Sequence, residues 1–475
     1  MLFVATSWAQ QPPPVAPPSQ PSAPSAPPAA SASAPSSAGA PNSNGDFFQA
    51  ADEVLAEMSK LLSMPILHPV KKSLRSREEI RAYLLAQEKK DKDSAKDYAD
   101  QRTLEMFGLL PKDFPLEQTL NDILTEQIAG LYDPDSQEFF IADWTSPADE
   151  RPVMSHELTH ALQDQHFHID KWTEAAKPND DGELARDAVI EGSAMAAMLD
   201  YELGGKGSIR DLGDFDPGML MGDMDSSPVL SKAPKAIQDE LLFPYLAGIH
   251  FTQQLLKAGN GWPDFYKVFA KPPVSTQQVM HPDLYLQGVV PAKVELPPGK
   301  GVISSDWKKL DENNMGEFGL VEILKQFLEK DRSTALAAAW AGDRYAIFEN
   351  QKNKRTLLEF RVHLASDAAA ARFFGAYSEI LEMKYATRTN LMRRPNFFSF
   401  DTPEDGVFVR CSDSDCFVLE GGTRAMFDRM TMEMGWPAGP VVPVNPADPH
   451  VNQTSIPVYP ELVADAGRPL QPMAP

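Results

Sequence analysis

Half of the chain's proline lies in its two ends, and this segregation confines folding to the middle. Of 42 prolines, 11 precede residue 45 and 10 follow residue 435. Proline fixes φ and lacks a backbone donor, so neither end sustains a helix or a central strand. Residues 11–45, rich in Pro, Ala and Ser, read as an extended linker, and residues 436–475 as a Pro-rich tail. The stretch between them is long enough to bury a sizeable core. Pro297-Pro298-Gly299 marks a break within it, predicting one domain over 46–292 and a second over 303–435.

Charge narrows the partners. The net charge is −23, and residues 1–44 carry no charged side chain, so the folded part is strongly acidic. That argues against nucleic acid or an anionic membrane as the main partner. No apolar run reaches the ~18 residues that a membrane helix needs. Met1 to Gln10 reads as the remnant of a signal peptide, with a short apolar run and then small residues but no basic start. The expected location is therefore outside the cytoplasm, periplasmic or secreted. Cys411 and Cys416 flank four polar residues between β-like runs, which places them at a hairpin tip where either a disulfide or two thiols fits.

The coarse pattern is α+β. Ala51, Val54, Leu55, Met58 and Leu61 recur at helical spacing, and more helix follows to about residue 128. Residues 128–143 read as a β-hairpin turning at Asp133-Pro134-Asp135-Ser136. Ser146-Pro147 opens the next helix, with Pro152 able to delay its start, and that helix runs to about Phe167. A second helix covers roughly 184–201, residues 203–232 form a long Gly/Asp/Met-rich loop with the look of a lid, and a third helix covers 234–256. Beyond the break, a small α+β unit is expected. Its helices fall near 318–330, 365–383 and 423–434, and its strands near 345–348, 356–362, 406–411 and 417–421. Trp340-Ala-Gly-Asp-Arg-Tyr345 reads as a tight turn with a local Asp343–Arg344 pair.

One motif carries chemistry. Residues 155–163 are Ser-His-Glu-Leu-Thr-His-Ala-Leu-Gln. On a helix, His156 and His160 lie one turn apart and project from one face, as two corners of a zinc tetrahedron require. Glu157 stands beside them as general base. Leu158, Ala161 and Leu162 face the other way, into a core. A third ligand is needed. His166 lies about 100° round the helix and is rejected. Glu191, a lone carboxylate among small and apolar residues in the second helix, is the better choice, with Glu183 as fallback and Asp187 to orient a ligating histidine.

At these residues the chain resembles the gluzincin-type, thermolysin-like zinc metallopeptidases. Within them it resembles a bacterial group with an extended His-Glu-Leu-Thr-His-Ala-Leu-Gln-Asp-Gln-His-Phe signature. The likeness covers residues 120–290. It implies a mainly helical zincin-like domain binding one Zn2+ through His156, His160 and Glu191, with Glu157 as base and a peptide or protein as substrate. Thirty residues separate His160 from Glu191, a longer interval than the family commonly has. A Tyr or His donor is expected to stabilise the oxyanion, and Tyr245 and His281 are the candidates. The hairpin before the motif offers an edge strand to an extended peptide. Two rivals stand beside this reading: a zinc hydrolase of a cell-wall peptide, and a catalytically silent scaffold of the same fold. Oligomeric state is not legible in the sequence.

Overall fold

A computed structural model of the chain describes residues 44–126, 130–213, 227–299 and 301–436. The expected leader, linker and tail lie outside these residues, as do residues 214–226 of the lid-like loop. Four helices open the fold: α1 (Asn44–Leu61), α2 (Arg77–Asp91), α3 (Ser94–Phe107) and α4 (Leu116–Glu126). The apolar stripe of α1 is buried along Phe47, Ala51, Val54, Leu55 and Met58. Removing each large side chain from water stabilises by roughly 1.5–3 kcal/mol, which is what fixes this helix rather than propensity.

A three-stranded sheet follows, in the order β1 (Lys71–Arg75), β3 (Glu138–Ala142), β2 (Leu131–Asp133). The hairpin β2–β3 is where the sequence places it. Strand β1 is an addition, and it runs parallel to β3 from Lys71↔Glu138 to Arg75↔Ala142. Its sequence, Lys-Lys-Ser-Leu-Arg, is half exposed and carries no alternation to reveal it.

The motif helix α5 spans Arg151–Phe167 and begins after Glu150, so Pro152 sits in its first turn and Ser146 caps only a preceding turn. Short α6 (Ile169–Glu174) leads to α7 (Asp180–Glu202). Asn179 caps α7 by accepting from Gly182 N, and Asp180, Asp181 and Glu183 sit at the positive end of its dipole. After the loop comes α8 (Lys235–Ala258), then the short α9 (Trp262–Phe265), α10 (Lys267–Ala270), α11 (Thr276–Met280) and α12 (Pro282–Gln287). Helices α1, α5, α7 and α8 share one core, with Leu158, Leu162, Val189 and Ile249 at its centre.

The C-terminal region holds more strands than expected. It holds an antiparallel sheet of seven strands, ordered β4-β5-β6-β10-β9-β8-β7. These are β4 (Trp307–Asn313), β5 (Trp340–Asn350), β6 (Thr356–Leu364), β7 (Thr389–Arg394), β8 (Phe397–Asp401), β9 (Gly406–Ser412) and β10 (Asp415–Gly422). Helices α13 (Gly316–Lys325), α14 (Lys330–Ala337), α15 (Asp367–Lys384) and α16 (Arg424–Glu433) accompany it. Strands β4, β7 and β8 escape the sequence reading because two are edges: polar β4 and β7 lack the alternation of a strand with one buried face.

Residues 340–345 are not a turn but the start of β5, with a bulge between Trp340 and Gly342. Asp343 accepts from Met315 N, Gly316 N and Trp340 Nε1, while Arg344 pairs with Glu312. The core under one face of this sheet also takes Leu104 and Phe107 from α3 and Ile237 from α8. Burial therefore runs across the break at 292–303, and the described residues belong to one compact unit ending at Trp436. Cys411 and Cys416 stand directly opposite on β9 and β10 and are joined by a disulfide.

Candidate metal centre

Two helices bring the predicted ligands together. On α5, His156 Nε2 and His160 Nε2 lie 3.0 Å apart, their rings edge to face. From α7, Glu191 Oε2 reaches to 3.3 Å from His156 Nε2 and 3.5 Å from His160 Nε2. All three side chains are buried, and theirs is the one His/Cys/Asp/Glu group of metal-binding geometry among the described residues.

These spacings decide between two accounts of the cluster. The two carboxylate distances exceed the 2.7–3.2 Å of a sound N–H···O bond, and Glu191 Oε2 satisfies no hydrogen bond. Ligands at ~2.0–2.1 Å from a tetrahedral ion stand about 3.3 Å from one another. The observed 3.0, 3.3 and 3.5 Å bracket that edge. A buried carboxylate oxygen left without a hydrogen bond is costly, and a divalent ion removes the cost. The residues present fit a metal with two imidazoles and one carboxylate.

The electrostatics follow from burial and proximity. Burial pulls the His156 imidazole below its ordinary pKa, favouring the neutral form that ligates. Burial acts the same way on His160, but the Glu191 carboxylate outweighs it and raises the group. Burial alone would raise Glu191, yet His160 and His156 hold it below the usual carboxylate range. Glu157 stands apart from the three. Burial pushes its carboxyl up to about 8, and its Oε2 accepts from Tyr132 N at 2.8 Å.

Surrounding residues explain the rest of the motif helix. Gln163 Oε1 lies 3.2 Å from His160 Nδ1, and Gln163 Nε2 donates to Ser193 Oγ on α7 at 2.8 Å. One side chain thus orients a ligand and ties the two ligand-bearing helices together. Asp164 accepts from the Tyr132 hydroxyl, Gln165 holds the backbone at Leu67 and His68, and His166 Nε2 meets Pro65 O at 2.7 Å. His166 is therefore a tether, as its position round the helix implies.

Other candidates land differently. Tyr245 on α8 stacks against His156 at 27°, and its hydroxyl hydrogen-bonds Glu191. His281 is not drawn into the group: it is partly exposed between α11 and α12, with Nε2 2.7 Å from Glu317 Oε1 on α13. Asp187 bonds Thr173 rather than a ligating histidine, and His156 Nδ1 has no partner. Glu183 faces Lys177 at 4.0 Å. The edge offered by the hairpin is small, since β2 has three residues, all buried, and the outward amide of Tyr132 is spent on Glu157.

Gly192 sets the position of Glu191 from the far side. A Cβ there would fall 2.0 Å from the Gly248 carbonyl carbon, so α7 and α8 cross backbone to backbone beside the ligand. The small residues of α7 thus serve a contact with α8, whereas the contact with α5 runs through Ser193 and Gln163. Gln163 and Gly192 were legible only as polar and small residues on their helices, because their roles depend on partners 30 to 56 positions away.

Comparison with known proteins reaches only the other end of the chain. Residues 305–431, which hold the seven-stranded sheet, match a family model described as a domain of unknown function (DUF8575). No curated protein and no solved structure matches the chain.

Proposed function

We propose that the chain is a zinc-dependent peptidase of the gluzincin type, with a zincin-like first region and one Zn2+ held by His156, His160 and Glu191. The observation that carries this is the three-donor spacing of 3.0, 3.3 and 3.5 Å. Zinc, when bound, lowers the pKa of water toward about 7 and polarises a carbonyl. The chain's own residues supply the remaining work. Glu157, one residue from the first ligand, takes a proton from the attacking water and delivers it to the leaving amine. The Tyr132 amide fixes Glu157 Oε2 and leaves Oε1 for that transfer. Gln163 holds the His160 ring, and the Tyr245 hydroxyl, bonded to Glu191 in this structure, would serve a developing oxyanion by turning its proton from that carboxylate. The disulfide between Cys411 and Cys416 fits an exported protein, and an acidic chain fits a peptide or protein substrate rather than nucleic acid. No helix among the described residues is long and apolar enough to cross a membrane.

A second reading rests on burial. His156, Glu157, His160 and Glu191 are 1, 4, 5 and 3% exposed, which also suits a closed metal centre in a silent binding protein. Cleavage of an unfolded protein by the zinc-loaded chain, with and without chelator, separates the two. Glu157→Gln is expected to keep its zinc and lose cleavage. Cleavage persisting in that variant overturns the base, and metal-replete protein without any cleavage favours the closed centre.

A further inference from the structure

A cavity lies away from the metal group, between the irregular segment 290–299 and the face of β4–β6, with a volume of about 840 Å³. Its roof is pinned at three points. Ala292 N donates to Ala341 O, Arg361 Nη1 donates to Glu295 O, and Gly299 N donates to Glu433 Oε2 on α16. A roof so anchored makes the space preformed rather than a gap under a loose loop, and its size is that of a small-molecule site.

The charges on its walls are spent on one another, with one exception. Lys309 and Arg344 both pair with Glu312, and Lys293 pairs with Glu295. Asp343 is filled by three donors. Glu359 on β6 also lines the space, is 2% exposed, and has an Oε1 with no hydrogen-bond partner. Burial, and then the neighbouring Glu312 carboxylate, push its carboxyl up to about 8, against a smaller opposing pull from Lys309. Asn179 and Asn314 also line the space, its apolar walls include Leu296, Ile303 and Phe348, and Val274 and Val290 at the margin are exposed.

We propose that this cavity binds an organic ammonium ion with an apolar body, its cationic head on Glu359 and its body against Leu296, Ile303 and Phe348. A buried carboxylate without a partner is stabilised by a hydrogen-bonded cation, and the paired lysines and arginine of the walls leave that place to a ligand. The inference does not depend on the metal centre or on peptidase activity.

Calorimetric titration with 2-phenylethylammonium, against 2-phenylethanol as the neutral analogue, tests it on the full chain. The ammonium is expected to bind roughly ten- to hundredfold more tightly than the alcohol, the range of a charge-assisted hydrogen bond. Glu359→Gln is expected to abolish that difference. Val294→Trp, which fills the space from the roof without changing a residue of the sheet, is expected to abolish binding of both. Equal affinity for the two probes, binding unchanged in either variant, or no binding of the ammonium to the wild-type chain overturns the proposal.

Discussion

Replacing Gly192 by alanine tests the geometry that places Glu191. The added Cβ would lie 2.0 Å from Gly248 C, 2.3 Å from its O and 2.4 Å from its Cα. Ordinary contacts there need about 3.5 Å, so α7 and α8 must part by over an ångström along their crossing. Alanine gains roughly 1 kcal/mol as a better helix former than glycine. Overpacking of a well-filled contact costs typically 1–3 kcal/mol, and this one meets backbone that no rotamer change relieves, so the upper end or slightly more applies. The net loss is about 2 kcal/mol. In a unit of this size each kcal/mol moves the melting temperature by roughly 1–2 °C, so calorimetry should record a fall of about 2–4 °C. Because Glu191 adjoins the crossing, zinc affinity should fall as well, while a surface change on α7 should alter neither. A melting temperature equal to or above wild type, with unchanged zinc affinity, would refute the account of this contact.

Zinc added to chelator-treated protein should raise the melting temperature at one equivalent per chain, and His160→Ala should remove both the shift and the bound metal, as read by calorimetry and elemental analysis. Gln163→Ala should weaken zinc binding roughly ten- to hundredfold through a freed His160 ring, measured by competition with a chromogenic chelator, and Gln163→Glu should restore part of it. Asp181 is buried, its carboxyl raised from 3.8 to about 7 by burial and then by Asp343 and Glu317. An acid with a raised folded pKa binds more protons folded than unfolded, so its contribution is full below pH 3.8 and is lost as pH rises to about 7. Asp181→Asn should therefore gain on wild type between pH 4 and 7.5, by up to about 4 kcal/mol, in denaturant melts at the two pH values. Opening the Cys411–Cys416 bridge, which spans a sequence separation of 5, should cost about 2 kcal/mol by loop entropy, read as a lower denaturation midpoint on paired Cys→Ser substitution.

Much of the helical region was legible because its periodicity is strong: α5, α7 and α8 fall within a few residues of their expected bounds. The hairpin β2–β3 was legible from its turn, and β9–β10 from two apolar runs about a polar tip. Strands β1, β4 and β7 were not, since a strand at a sheet edge with polar faces looks like loop until its partner is known. Residues 340–345 misled for a related reason: Gly342 suggests a turn, but in the fold it marks a bulge.

The site divides along the same line. Spacing within one helix is a property of the chain, because 3.6 residues per turn puts His156 and His160 on one face wherever that helix lies. The sequence by itself therefore determined the histidine pair, the neighbouring Glu157 and the exclusion of His166. Which acid joins them is a matter of helix crossing, and only the tertiary structure decided that Glu191 approaches while Glu183 and Asp187 turn to other partners. It likewise gave His160 to Gln163, Glu157 to the Tyr132 amide and His281 to Glu317. Such pairings depend on where distant backbones meet, and no local periodicity carries that information.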